Sequence, residues 1–299
     1  MTISSTNSVV FLMGPTASGK TELALEMYNQ LDASLISVDS ALIYRGMDIG
    51  TAKPSKVTLE NYPHALIDIC EPDESFSVNQ FVSLAKQHIE SALNAGKLPI
   101  LVGGTSFYFN ALEHGLSKLP ESTKDSRKYF NDRLKNQGSE KLHSQLLKID
   151  QKSATRIHPN DSQRVTRALE VFHLSGVTLS ELQGNKNENK LNHEIKKIIL
   201  MPERSELHQR IEKRFIEMIK DGFLDEVETL RKNKNLNLDL ASMRCVGYRQ
   251  AWNYFDGLYS KQEMIEKAII ATRQLCKRQS TWLRNESNAL ILKETNIDK

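Results

Sequence analysis

Hydrophobic positions in the first hundred residues form short continuous runs that alternate with segments of helical spacing. The apolar runs are Val9–Met13, Leu35–Val38, Ala65–Ile69 and Pro99–Val102, and the intervening helical segments include Glu22–Leu31 and Asn79–Leu93. Continuous apolar strands separated by helices are typical of a parallel sheet covered on both faces. The pattern therefore predicts an α/β fold.

The pattern changes between residues 116 and 192, which are polar and rich in lysine and contain no convincing strand. Here Asp161 has the character of an N-cap for a helix over Ser162–Leu174, and Gly176 follows its end. A polar linker or loop is expected over Asn185–Asn192. A strand-like run returns at Ile195–Leu200, and helices begin again near Ser205. We predict a parallel-sheet core from residues 1–115 and 196–299, interrupted by a small helical insertion over residues 116–195.

Composition narrows the class of protein. Hydrophobic residues make up 39% and charged residues 26% of the 299 residues, which excludes collagen-like, fibrous and wholly disordered chains. The three cysteines form no CxxC pair, and no apolar run is long enough for a membrane span. We expect a cytoplasmic protein without a membrane segment, and nothing in the sequence suggests an obligate dimer, so a monomer is expected.

One motif carries specific chemistry. The octapeptide GPTASGKT matches G-x-x-x-x-G-K-[ST] between a predicted strand and a predicted helix, and it consists of Gly14, Pro15, Thr16, Ala17, Ser18, Gly19, Lys20 and Thr21. Backbone N–H groups of such a loop cradle phosphates, its lysine adds a point charge, and its last hydroxyl can ligate Mg²⁺. The motif predicts a P-loop NTPase-like core that binds a di- or triphosphate, with nucleotides such as ATP among the candidates.

Asp39 directly follows the second apolar run, one strand–helix unit after the P-loop. Ligands of parallel sheets collect at the carboxyl ends of strands, so Asp39 should face the phosphate site. It could hold Mg²⁺ as the acid of an NTPase or kinase, or it could be a general base for an acceptor nucleophile. The run Pro99–Val102 ends without an acid, which counts against nucleotide hydrolysis, but the pattern alone leaves the kinase interpretation open although incomplete.

Six stretches of the chain closely resemble bacterial tRNA dimethylallyltransferases, also called tRNA isopentenyltransferases. They are GPTASGKT (14–21), DSALIYRGMDIGTAKP (39–54), LVGGTSFYFNAL (101–112), DSQRVTRALEV (161–171), RCVGYRQAW (244–252) and TRQLCKRQSTWLR (272–284). They follow the family's order and span nearly the whole chain. One difference is that Ala41 and Leu42 stand where many members have Met-Gln.

The resemblance implies transfer of a dimethylallyl group from dimethylallyl diphosphate to N6 of the adenosine 3′-adjacent to the anticodon of tRNA. Diphosphate is released, Mg²⁺ is required and no ATP is consumed. The implied catalytic residues are Asp39 as general base, together with Lys20, Thr21, Thr105 and Arg127, and Thr21 would ligate the metal. The insertion would clamp the tRNA.

The resemblance also implies contacts with the anticodon stem-loop of tRNA. They fall on Asp39, Ser40, Ala41 and Leu42, on Gln163, Arg164, Val165, Thr166 and Arg167, on Arg244, Cys245, Val246, Gly247, Tyr248 and Arg249, and on Arg273, Lys277, Arg278 and Arg284. From sequence alone, residues 244–249 look like a loop, and Tyr248 is as well explained by a core position as by stacking on a base. The segment 244–284 holds eight Lys or Arg against three Asp or Glu, which also fits an ordinary solvated helix face.

Two further hypotheses remain beside the prenyltransferase. A P-loop kinase for a small molecule would use Asp39 to orient an acceptor hydroxyl and would require ATP. A non-catalytic P-loop protein that binds RNA would give Asp39 no role. The three hypotheses differ in the substrates they require. A kinase needs ATP, the prenyltransferase needs dimethylallyl diphosphate and no nucleotide, and the RNA-binding protein catalyses no reaction.

Overall fold

The sheet of this protein comprises six strands in the part of the chain that the computed structural model describes, residues 7–184 and 190–294. They are β1 (Ser8–Met13), β2 (Ala33–Val38), β3 (His64–Ala65), β4 (Leu98–Gly103), β5 (Glu194–Leu200) and β6 (Ala289–Leu292). Their spatial order is β3-β2-β4-β1-β5-β6, and every neighbouring pair is parallel. The predicted α/β class is therefore confirmed. Strands β2 and β4 are direct neighbours, with Val38 paired to Gly103, so their carboxyl ends lie side by side.

Thirteen helices are found in the same described residues. They are α1 (Lys20–Gln30), α2 (Lys56–Asn61), α3 (Val78–Asn94), α4 (Ser106–His114), α5 (Lys124–Gln137), α6 (Ser139–Ile149), α7 (Gln151–Arg156), α8 (Ser162–Ser175), α9 (Leu179–Gly184), α10 (Arg204–Lys220), α11 (Phe223–Arg231), α12 (Tyr248–Phe255) and α13 (Lys261–Leu283). None of these helices has the length and apolar character needed to cross a membrane.

Helices cover both faces of the sheet because successive strand residues point to opposite sides. Val10 and Leu12 of β1 pack in one core cluster with Leu23 of α1. Between them, Phe11 points the other way and contacts Phe109 of α4, with ring centroids 5.0 Å apart. The apolar run Val9–Met13 of β1 is thus explained by burial on both sides, as a continuous hydrophobic run predicts.

Contacts divide the chain into two units, each with its own core. The first comprises the described residues of 1–113 and 191–299 and contains the sheet; the second spans residues 114–190. No strand occurs in the described part of the second unit, whose core includes Phe130, Leu142 and Leu169. The sequence boundaries of 116–195 differ from these limits by a few residues.

Helix α8 of the second unit confirms the predicted helix and both of its end signals. The Asp161 side chain accepts a hydrogen bond from the backbone N–H of Arg164 at 3.1 Å, which is N-cap geometry. Gly176 ends the helix with left-handed backbone, at a φ of 71°. Residues 185–189 of the predicted polar linker lie outside the described residues.

Some predicted elements are wrong. The strand expected over Ala65–Ile69 stops at Ala65, because Leu66 and Asp68 have φ values of 66° and 54°, and left-handed backbone cannot continue a ladder. This turn places the Asp68 carboxylate 2.5 Å from the ammonium of Lys53. Tyr248, expected in a loop, instead begins helix α12. The short edge strand β6 was not predicted, since four residues give little periodic signal.

Candidate active site

The P-loop connects β1 to α1 and has the backbone shape of an anion cradle. Ala17 and Gly19 have positive φ values of 64° and 97°, and such turns direct successive N–H groups to one side. Helix α1 begins directly afterwards, so its positive end faces the same space. A side chain at Gly14 would place Cβ 2.6 Å from the carbonyl oxygen of Leu200, so the loop's first glycine is required by its approach to β5.

Lys20 points back into this loop. Its Nζ donates to the carbonyl oxygen of Pro15 at 2.8 Å and lies 3.4 Å from Oγ of Ser18. Burial lowers the pKa of Lys20 from 10.5 to about 8; the Asp39 carboxylate opposes this shift, and the Arg214 guanidinium adds to it. Lys20, Asp39 and Arg214 therefore lie close enough for their charges to interact.

Asp39 follows the end of β2, as predicted. Its Oδ1 accepts hydrogen bonds from the backbone N–H groups of Ala41 at 2.8 Å and Leu42 at 3.3 Å. These two bonds fix the orientation of the carboxylate. Its second oxygen has no hydrogen-bond partner among the described residues, so it is available to a substrate.

Thr105 joins the end of β4 to the turn that carries Asp39. Its Oγ1 accepts a hydrogen bond from the backbone N–H of Ser40 at 3.1 Å, and its own N–H donates to the carbonyl oxygen of Val38 at 3.3 Å. The Thr105 carbonyl meanwhile accepts from the N–H of Phe109 in α4. The hydroxyl therefore supports the Asp39 turn, while the backbone of Thr105 starts helix α4.

Two arginines of α10 also reach the P-loop, and sequence reasoning missed both. Nη2 of Arg214 donates to Oγ1 of Thr16 at 2.5 Å, and Nη1 of Arg210 donates to the carbonyl oxygen of Ser18 at 3.2 Å. Residues four apart share one helix face, so both side chains extend in one direction. Their spacing could have been noticed, but an Arg pair at this spacing is also common on solvated helices.

Gln279 of α13 is the third contribution that the sequence did not reveal. Its Oε1 accepts from the backbone N–H of Thr16 and its Nε2 donates to the carbonyl oxygen of Gly104, both at 2.9 Å. One amide side chain thus bridges the P-loop and the turn after β4. A side chain at Gly104 would place Cβ 2.5 Å from Nε2 of Gln279, so the amide would have to move away from this turn.

A cavity of about 440 Å³ opens beside Arg214. Its wall includes the loop over residues 48–56, helix α2 and part of α10. The side chain of Lys53 is only 3% exposed and forms ion pairs with Asp48 and Asp68, both at 2.5 Å. These pairs hold the loop against the rest of the cavity wall.

Glu226 of α11 fixes the start of the same loop. Its carboxylate accepts from the backbone N–H groups of Asp48, Ile49 and Gly50 at 2.7–3.2 Å, and from the hydroxyl of Tyr248 at 2.6 Å. Four donors on one carboxylate form a charge-assisted network that positions this backbone. Tyr248, which the resemblance implies as a tRNA contact, is fully buried, so its side chain occupies a core position.

The second unit holds six of the implied site residues. Arg127, Gln163 and Arg164 are exposed and Thr166 is half-buried. Val165 is fully buried in the core of the unit, so its side chain serves packing there. Arg167 binds Glu170 at 2.8 Å and the Pro120 carbonyl at 2.7 Å, so it organises the unit internally.

Glu170 explains why Arg167 is held in this way. Its buried carboxylate accepts hydrogen bonds from the hydroxyls of Ser122 at 2.7 Å and Ser126 at 2.6 Å, in addition to that from Arg167. Burial alone would raise the pKa of Glu170, but these three donors lower it below its ordinary value. The network therefore ties the segment before α5 to α8.

The basic residues of the segment 244–284 that the resemblance implies as tRNA contacts differ in exposure and in ion pairing. The exposed ones are Arg244, Arg249, Lys277, Arg278 and Arg284. Arg273, which the resemblance also implies as a tRNA contact, is half-buried and pairs with Glu212 at 2.7 Å. Cys245 and Val246 are half-buried and Gly247 is buried, while Ser40 beside Asp39 is exposed.

Comparisons with known proteins agree with one another. A family model described as IPP transferase matches residues 42–286. The tRNA dimethylallyltransferase of Ruthia magnifica subsp. Calyptogena magnifica is 63% identical over 293 residues, covering 98% of this chain and 96% of the relative.

Two solved structures extend the likeness to the fold. The full-length tRNA isopentenylpyrophosphate transferase of Bacillus halodurans matches with a TM-score of 0.71 and 36% identity, over 98% of this chain and 92% of that chain. A eukaryotic dimethylallyltransferase acting on tRNA matches with a TM-score of 0.76 and 26% identity, over 93% and 70% of the two chains.

Proposed function

This chain belongs to the IPP transferase family and is an enzyme of the tRNA dimethylallyltransferase type, and we propose that it joins the dimethylallyl group of dimethylallyl diphosphate to N6 of the adenosine 3′-adjacent to the anticodon. The observation that supports this most strongly is the meeting of a P-loop cation, Lys20, with a carboxylate, Asp39, at one edge of the sheet. The first suits a leaving diphosphate and the second suits an amine that must lose a proton.

The P-loop side stabilises the leaving group. An allylic diphosphate ionises readily when its departing oxygens are stabilised, because the allyl cation is delocalised. The loop N–H groups, Lys20 and Arg214 place positive charge where that negative charge develops. Gln279 and Arg210 keep the loop in shape for this task.

The Asp39 side activates the acceptor. The exocyclic amine of adenine is a weak nucleophile, since its lone pair is delocalised into the ring. As N6 bonds to C1 of the allyl group, the C1–O bond breaks, its electron pair leaves with diphosphate, and the amine proton passes to Asp39. Oδ1 is held by Ala41 and Leu42, so the other carboxylate oxygen is the one that accepts the proton.

Mg²⁺ fits this site as a partner of the diphosphate. The described residues contain no group of three His, Cys, Asp or Glu that could hold a metal on its own. The exposed Thr21 hydroxyl at the start of α1 is a hard oxygen ligand of the kind Mg²⁺ prefers. When bound, Mg²⁺ supplies further charge stabilisation to the diphosphate, with phosphate and water completing its ligands.

The acceptor must reach this edge as an unstacked base. Modifying an atom of a stacked base requires its extrusion, which costs a few kcal/mol and is easiest in a single-stranded loop. The exposed cations at Arg244, Arg249, Lys277, Arg278 and Arg284 would neutralise the phosphates of such a loop. On the second unit, Arg127, Gln163 and Arg164 offer similar groups.

The proposal is tested by mass spectrometry of tRNA nucleosides after incubation with dimethylallyl diphosphate. Modified adenosine is expected with donor and Mg²⁺ and no nucleotide, and chelation of Mg²⁺ should slow the reaction strongly. A parallel incubation with ATP tests the kinase alternative. Unmodified tRNA in every donor arm, or phosphate transfer from ATP to a small-molecule acceptor, would contradict the proposal.

A further inference from the structure

Tyr108 is a buried phenol beside Asp39 that the proposed reaction does not use. It lies in the first turn of α4, and its backbone N–H donates to the carbonyl oxygen of Thr105 at 2.9 Å. Thr105 in turn binds the backbone N–H of Ser40, next to Asp39. The first turn of α4 and the catalytic carboxylate are therefore joined through one residue.

The ring of Tyr108 is held firmly in place. Its side chain is only 7% exposed, and it stacks on Phe81 of α3 with ring centroids 4.2 Å apart and planes 14° from parallel. A stacked ring in a closely packed wall has few orientations available. The position of the hydroxyl is thus set by the packing of α3 against α4.

The hydroxyl itself has no hydrogen-bond partner among the described residues. The oxygen is not fully enclosed either, because the fully buried side-chain polar atoms without a partner among the described residues are Oγ of Ser37 and Nε of Arg273, so a ligand can reach the Tyr108 hydroxyl. Burial raises the pKa of Tyr108 to about 12, and the nearby Asp39 carboxylate contributes to the shift. The phenol consequently keeps its proton at neutral pH and is available as a donor.

We propose that Tyr108 is a specificity-determining residue that donates a hydrogen bond to a ring nitrogen adjacent to the exocyclic amine of the acceptor adenine, while Asp39 accepts from that amine. The inference rests on the proposed function. Adenine presents the required pair on two edges, because N6 is flanked by the acceptors N1 and N7. Guanine has a carbonyl oxygen in place of the amine and would face Asp39 with an acceptor, so the pair rejects it.

The test uses the full-length enzyme and an anticodon stem-loop RNA that carries adenosine, 1-deazaadenosine or 7-deazaadenosine at the acceptor position. Wild type is compared with Tyr108→Phe, which keeps the ring that stacks on Phe81. Tyr28→Phe is the matched control. Tyr28 lies in α1 and also belongs to a ring pair, in which it packs against Tyr62. The readout is kcat/KM for each RNA, with the thermal midpoint of each variant.

With adenosine, Tyr108→Phe should lower kcat/KM about tenfold, and Tyr28→Phe should leave it unchanged. One of the two analogues lacks the nitrogen that the Tyr108 hydroxyl contacts. On that analogue, wild type and Tyr108→Phe should have equal kcat/KM. With the other analogue the tenfold ratio should persist. The analogue that abolishes the ratio identifies the edge that is read.

Equal kcat/KM of wild type and Tyr108→Phe on adenosine would overturn the inference, and so would a ratio that is the same on all three RNAs. A wild type that modifies none of them would instead count against the proposed function. Should Tyr108→Phe unfold, fluorotyrosine at position 108 replaces it, because its more acidic hydroxyl retains the donor. Fluorotyrosine at position 108 should then change kcat/KM on adenosine, and this change should disappear on only one of the two deaza analogues.

Discussion

Three charged side chains, Lys20, Asp39 and Arg214, determine the chemistry available at the P-loop. None would be unusual alone, but their charges interact in a confined space. Burial makes the free ammonium of Lys20 costly, and an incoming diphosphate removes that cost by supplying negative charge. Donor binding and protonation of Lys20 are therefore linked.

Donor binding should weaken as the pH rises through about 8. The pKa of Lys20 is lowered to about 8 in the free protein, so the ammonium predominates below that pH and is lost above it. Since diphosphate binds the charged form, its Kd should be constant below pH 7 and rise above pH 8. Calorimetric titration with inorganic diphosphate between pH 6.5 and pH 9.5 measures this. A Kd that is flat across the range would contradict the assignment.

Arg214→Gln should weaken diphosphate binding about 10–100-fold, the effect of losing a charge-assisted hydrogen bond of about 1.5–3 kcal/mol. The side chain contacts the P-loop through Thr16 and adds charge next to Lys20. Lys213→Gln removes the same charge from the neighbouring, exposed position of α10 and is the control. Equal affinity in the two variants would show that Arg214 does not face the diphosphate.

At the scale of elements, the site depends on helices that come from the far end of the chain. Helix α10 supplies Arg210 and Arg214, and α13 supplies Gln279. The P-loop therefore acquires its final form only when residues beyond 200 have packed against residues before 20. The sheet edge alone does not complete the site.

Gln279→Leu should loosen the P-loop while keeping the volume of the side chain. Two hydrogen bonds to Thr16 and Gly104 are lost, and the affinity for dimethylallyl diphosphate should fall about tenfold. Gln274→Leu, on the exposed side of the same helix, should have no such effect. The comparison is made by measuring KM for the donor and the thermal midpoint of both variants. A tenfold change shared by both would indicate a general effect on α13.

The predictable part of the fold is the part with strong local signals. Continuous apolar runs predicted β1, β2, β4 and β5, and Asp161 with Gly176 predicted the ends of α8, because burial and capping act within a few residues. The run over Ala65–Ile69 was misjudged because its turn serves a distant partner, Lys53.

The candidate site divides in the same way. Gly14–Thr21 and Asp39 directly follow the ends of β1 and β2, so the hydrophobic pattern that predicts these strands also predicts where the two site segments lie. Gln279 and Arg214 acquire their roles through contacts across 175 to 263 residues of chain, which periodicity does not report. Tyr248 and Val165 have motif neighbours that are exposed, but their own side chains pack into cores. A motif match gives no information on which of its members point inward.

At the scale of the whole molecule, the exposed cations of residues 244–284 should govern the salt dependence of tRNA binding. Lys277→Ala combined with Arg278→Ala should weaken binding and lower the slope of log K against log salt by about 1.5, for two lost contacts with phosphates. Lys232→Ala with Lys234→Ala removes equal charge from another exposed segment and should leave the slope unchanged. An identical slope in both double variants would place the RNA elsewhere.

The most direct test of the whole account is the single-turnover rate of dimethylallyl transfer in Asp39→Asn, measured with saturating tRNA and donor. Asparagine can still accept the hydrogen bonds from Ala41 and Leu42, so the turn should persist while the proton acceptor is lost. The rate should fall about 10²–10⁴-fold with unchanged tRNA affinity, whereas Asp32→Asn, at an exposed site before β2, should react like wild type. Equal rates for Asp39→Asn and wild type would contradict the assignment of Asp39 as the base.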